Sequence, residues 1–117
     1  MPHVVLEGRV TIETCALRFE PFVVREGEFL VKVERFYGER DARAALLETL
    51  VVDRGHTQKF FIQLSPRAEG LTVRLEPLTD PEKTPGVKRA LAVVASRIRD
   101  ATGCVYGKTN IEEFLIR

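Results

Sequence analysis

The stretch TPGVKRALAVVASRIRD, residues 84–100, decides how this chain closes. Val87, Ala90, Leu91, Val94, Ala95 and Ile98 recur at the spacing of one face of a 3.6-residue helix. Thr84 is placed as N-cap, Pro85 stands at the first helical position, and Gly103 supplies a C-cap. A helix is therefore predicted over about 85–101. Its other side carries Lys88, Arg89, Arg97 and Arg99, and from Lys83 to Arg99 there are five basic residues and no acidic one.

The segments upstream read mainly as strands. Val4, Leu6, Val10 and Ile12 alternate with polar residues, and the phase flips near Thr14, where Cys15, Leu17 and Phe19 take over. Such a flip predicts a turn or bulge, because a continuous strand would send the second set to solvent. Phe22–Arg25 and Glu28–Phe36 flank Glu26-Gly27, a hairpin signal, with Phe29, Val31 and Val33 on one face and Arg35 next in the row. Phe60–Leu64 and Leu71–Leu75 form a further strand pair. The link PLTDPEKTPG, with three prolines and a glycine, reads as a stiff loop.

Residues 41–53 carry two signals. ARAALLETL contains good helix formers, Asp41 can cap, and Gly55 can end a helix. TLVV is β-branched, and a hairpin turning at Arg54-Gly55-His56 into Lys59–Leu64 is the rival. The helix is preferred here. Downstream, Cys104-Val105-Tyr106 fits a short strand. Thr109 with Glu112 resembles a capping box for a last helical turn or two.

The fold expected from this pattern is α+β. A mostly antiparallel sheet has one long C-terminal helix (about 85–101) packed on one face and a shorter helix near 41–53. A length of 117 residues suits a single domain over 1–117. With 44% hydrophobic and 30% charged residues, composition is that of a folded chain rather than a disordered one. No apolar run reaches the roughly 18 to 20 residues that cross a bilayer, so no membrane partner is expected. The opening MPHVVLEGRV has no signal-peptide pattern, making cytoplasmic residence the default expectation. Thirteen of eighteen basic residues are Arg, and Asn and Met occur once each. That usage suits a thermophilic protein, although a GC-rich genome also favours Arg.

Net charge is +1 but unevenly spread: residues 1–58 hold eight basic and ten acidic side chains, residues 59–117 ten and seven. Contact with an anion should therefore be local. The first candidate is the start of the long helix, where Thr84, Gly86, Lys88 and Arg89 combine free backbone N–H groups with cations that a helix N-terminus does not favour. A bound phosphate or carboxylate would relieve that mismatch. The ordinary reading is that both long side chains lie on a solvated face, paired with Glu82 or with an acid from another strand. The second candidate adds Arg97 and Arg99 to make a basic face for nucleic acid. It lacks the stacking aromatics and motifs of known readers, and Arg97 and Arg99 also suit a helix C-terminus.

Two further clusters have ordinary explanations. Asp53, His56 and Lys59 sit near a predicted turn with no nucleophile beside them. Cys104 has Lys108 nearby but neither a His nor a second Cys close in sequence. Cys15 and Cys104 read as buried or half-buried free thiols, and no metal or cofactor site is expected. The function expected is a small non-catalytic binding or assembly protein, homo-oligomeric through strand edges and spare apolar residues such as Phe22, Phe36, Tyr37 and Phe114. The alternative is nucleic-acid or phosphorylated-ligand binding through the basic face of the long helix.

Overall fold

In the computed structural model, which describes residues 1–117, the chain runs β1 (His3–Glu7), α1 (Ile12–Arg18), β2 (Phe22–Glu26), β3 (Phe29–Gly38), β4 (Ala45–Asp53), β5 (His56–Arg67), β6 (Gly70–Leu75), α2 (Pro85–Thr102) and β7 (Val105–Thr109). Short 3-10 turns lie at Arg40–Ala42 and Glu112–Phe114. The strands form one curled antiparallel sheet in the order β2-β3-β4-β5-β6-β1-β7. Strands β2 to β6 make a meander, β1 returns to pair with β6, and β7 adds itself outside β1. The fold is α+β, with the long helix packed against the sheet. No helix is long and apolar enough to cross a membrane.

The helix α2 forms as its sequence predicts. Thr84 Oγ1 accepts a hydrogen bond from the Val87 N–H at 3.2 Å, and the Gly103 N–H donates to the Arg99 carbonyl at 2.8 Å. Burial goes further than one face. Gly86, Val87 and every residue from Ala90 to Ser96 are buried, so the middle of the helix is covered all round. The sheet provides one wall through β1, β4 and β6, while α1 and the Glu112–Phe114 turn close over the other sides. Ala90, Ala92 and Ala95 let these elements approach closely.

Residues 41–53 correct the sequence expectation of a shorter helix. They form a 3-10 turn at Arg40–Ala42 and then strand β4, which pairs with β3 on one side and β5 on the other. Ala45, Leu47, Thr49 and Val51 face the core while the residues between them are only half-buried. Two-sided pairing and an apolar inner row outweigh the helix propensity of ARAALL. The turn that closes the β4–β5 hairpin is Arg54-Gly55, both at positive φ (50° and 80°), as a two-residue hairpin turn requires.

Three smaller expectations also change. The flip near Thr14 is not a bulge but helix α1, with Thr11 Oγ1 accepting from the Thr14 N–H at 3.1 Å. Ile12 and Cys15, three residues apart, are its buried residues, and Leu17 is 87% exposed. In β3 the register shifts between Val33 and Arg35, so Phe36 and not Arg35 continues the inner row. Thr109 does not cap a final α-helix. Its hydroxyl accepts from the Ile111 N–H at 3.1 Å and donates to the His3 carbonyl at 2.8 Å, fastening the end of β7 to β1.

Candidate functional site

Shortening of the cover over the sheet creates the main cavity. Helix α1 has only seven residues, so it shields part of the concave face and leaves a gap between edge strand β2 and the C-terminal half of α2. The gap is a cleft of about 590 Å³. Leu47 from β4, Leu64 from β5 and Val94 from α2 line it and are almost wholly buried. Phe22 and Val24 of β2, Phe36 of β3 and Ile98 of α2 form half-buried apolar walls. Phe19 and Phe36 meet with ring centroids 5.6 Å apart, a tilted pair that joins the α1–β2 link to β3. The lining is predominantly apolar, and Ile116 from the C-terminal tail reaches its edge.

Charged groups gather only at the mouth: Arg18, Glu20, Glu26, Arg97 and Asp100. Glu26 pairs with Arg89 at 3.4 Å and Asp100 with Arg99 at 3.1 Å. The Arg97 guanidinium lies over Phe22, its Cζ 4.0 Å from the ring centroid. A cation–π contact draws on the charge rather than on particular N–H groups, and Arg97 makes no ion pair that would engage its donors.

The residues proposed from sequence do not converge on one patch. At about 100° per residue, Lys88 and Arg99 point within about 20° of each other, and Arg89 and Arg97 within about 80°, on a different flank. Their contacts agree. Arg89 stacks on Phe29 of β3 at 4.0 Å and Arg97 on Phe22 of β2. Lys88 lies 6.0 Å from the Phe114 ring centroid, and Arg99 lies over Tyr106 at 4.7 Å and donates to the Ile116 carbonyl at 2.8 Å. The four cations thus strap α2 to the sheet on one side and to the C-terminal segment on the other. Tyr106 shares in that strap by donating its hydroxyl proton to the same Ile116 carbonyl at 2.6 Å, and burial raises its pKa.

At the start of α2, Thr84 serves as cap and Gly86 is buried against Asp53 of β4. A Cβ at Gly86 would stand 2.8 Å from both Cβ and Oδ2 of Asp53. An acid of the same chain, and Glu26 on Arg89, therefore meet the positive end of this helix.

The remaining clusters separate. Asp53 and His56 flank the Arg54-Gly55 turn and line a small cleft with Thr84, but His56 Nε2 is 4.0 Å from its nearest carboxylate, Glu82, and Lys59 lines a different hollow. Thr84 already uses its hydroxyl as the helix cap. Cys15 and Cys104 are both free and buried. Burial, with a smaller push from Cys104, raises the Cys15 pKa to about 11, which disfavours the nucleophilic thiolate. Lys108 is exposed on β7.

Sequence reasoning missed the cleft because its walls come from α1, four strands, α2 and the C-terminal tail. The available signal was slight: Phe22 and Phe36 stand out as spare apolar residues, and both line the cleft. Comparisons of the chain with family models, with curated proteins and with solved structures gave no match.

Proposed function

We propose that this is a non-catalytic binding protein whose ligand is a small, largely apolar molecule held in the cleft between β2 and the C-terminal half of α2. The supporting observation is the cleft itself: about 590 Å³, apolar from Leu47 to Ile98, with charge confined to its mouth. Cavities of roughly 300–1,000 Å³ with that distribution of groups are the usual form of small-molecule sites. Titration of labelled protein with apolar probes, followed by NMR, should shift the amides of Val24, Phe36, Leu64 and Ile98 together. A Val24→Trp variant, which fills the mouth from a half-buried edge position, should retain its fold and lose those shifts. Absence of any saturable shift in this group would remove the reading.

Self-association is a second reading. Strands β2 and β7 are both sheet edges, and each presents an exposed valine, Val23 at 55% and Val105 at 60%. Unpaired edges with apolar side chains favour pairing between copies. A strict monomer by light scattering at high micromolar concentration would exclude it. Nucleic-acid binding draws less support, because Lys88, Arg89, Arg97 and Arg99 are divided between two flanks and already stacked on aromatics.

A further inference from the structure

Two arginines at the mouth of the cleft stand apart from the other cations around it. The ion pairs of α2 engage Arg89 and Arg99, each with a carboxylate within 3.4 Å, but include neither Arg97 nor Arg18. Arg18 ends α1 and Arg97 rises from α2, and both line the cleft. Of the three carboxylates at the mouth, Glu26 and Asp100 are committed to Arg89 and Arg99, leaving Glu20 alone. Two guanidinium groups with free N–H forks against one uncommitted acid make the opening locally cationic. The rest of the lining is mainly apolar.

From this juxtaposition we infer that the ligand is an amphipathic organic anion, with its apolar body against Leu47, Leu64 and Val94 and its carboxylate between Arg18 and Arg97. The inference rests on the cleft reading above and adds the chemistry of the head group. Arginine binds a carboxylate through two parallel N–H···O bonds, and the ring of Phe22 beneath Arg97 holds that fork without consuming its donors. The head stays at the mouth, so its desolvation is partial, while the chain lies against the apolar walls.

The test compares three probes of one chain length on the wild-type protein: decanoate, decan-1-ol and decylammonium, by calorimetry and NMR. Decanoate should bind on the order of tenfold more tightly than decan-1-ol, with decylammonium weakest, the margin expected for charge-assisted hydrogen bonds at a half-exposed site. Raising salt should narrow the lead of decanoate over decan-1-ol. Arg18→Gln with Arg97→Gln should reduce decanoate affinity about tenfold and change decan-1-ol affinity less than about twofold. The wild-type comparison stands even if that variant fails to fold. Equal binding of decanoate and decan-1-ol in the cleft would overturn the anion and leave the apolar site standing. Tighter binding of decylammonium would do the same. Binding of none of the three would overturn both.

Discussion

The Arg97 guanidinium lies over the ring of Phe22, 4.0 Å from its centroid, and thereby joins the exposed end of α2 to the edge strand β2. No ion pair reinforces this contact, so its strength is that of cation–π attraction plus the burial of the arginine stem. In a double-mutant cycle, Arg97→Gln and Phe22→Leu should couple by about 0.5–1 kcal/mol in urea unfolding. Additive losses, within about 0.3 kcal/mol, would mean that the stack contributes nothing.

Gly70 begins β6 at φ 147°, and a Cβ there would stand 1.9 Å from the Leu6 carbonyl oxygen of the neighbouring strand. Gly70→Ala must push β1 and β6 apart at the end of their pairing. A loss of about 4 kcal/mol or more in unfolding free energy is expected. Gly55→Ala is the control, also at positive φ but with open space around it, and should cost only about 1–2 kcal/mol. Similar losses for the two would refute the clash.

Stability should fall in alkali because of Cys15. Its thiol is raised from 9.0 to about 11 in the folded state, so the unfolded chain loses this proton first. The contribution is therefore complete below about pH 9 and disappears as pH rises to about 11, by about 2–3 kcal/mol. Urea midpoints of wild type and Cys15→Ala across that window should converge as pH rises. Parallel curves would show that another group controls the alkaline limb.

The cap at Thr84 gives the simplest test of local helix chemistry. Thr84→Ala removes the acceptor for the Val87 N–H and should lower stability by about 1 kcal/mol, whereas Thr84→Ser should restore most of it. Equal melting temperatures for all three proteins would show that Val87 finds another partner.

Much of the fold was readable because it is specified by neighbours along the chain. The α2 stripe, its caps, the β2–β3 hairpin and the β5–β6 pair all announce themselves within a few residues, and each forms in place. Residues 45–53 failed that reading because ALLETLVVD satisfies helix and strand patterns alike. Val31 opposite Val51, and Phe60 opposite Thr49, decide between them, and those partners lie outside any local window. At α1, Val10 and Ile12 mimic alternation, yet both are buried as parts of a loop and a helix start. The cleft was hidden more deeply, since no single segment contains two of its opposing walls.

The amino-acid order by itself determined the long helix, its ends and the antiparallel character of the hairpins, because backbone hydrogen bonds and side-chain periodicity over a few turns settle such elements. Only the three-dimensional arrangement decided that Ala45–Asp53 is an interior strand, that four cations of α2 divide onto two flanks, and that Arg18 and Arg97 line the same largely apolar cleft. These depend on contacts between residues far apart in the chain, where curvature of the sheet and the length of α1 set what is covered and what is left open.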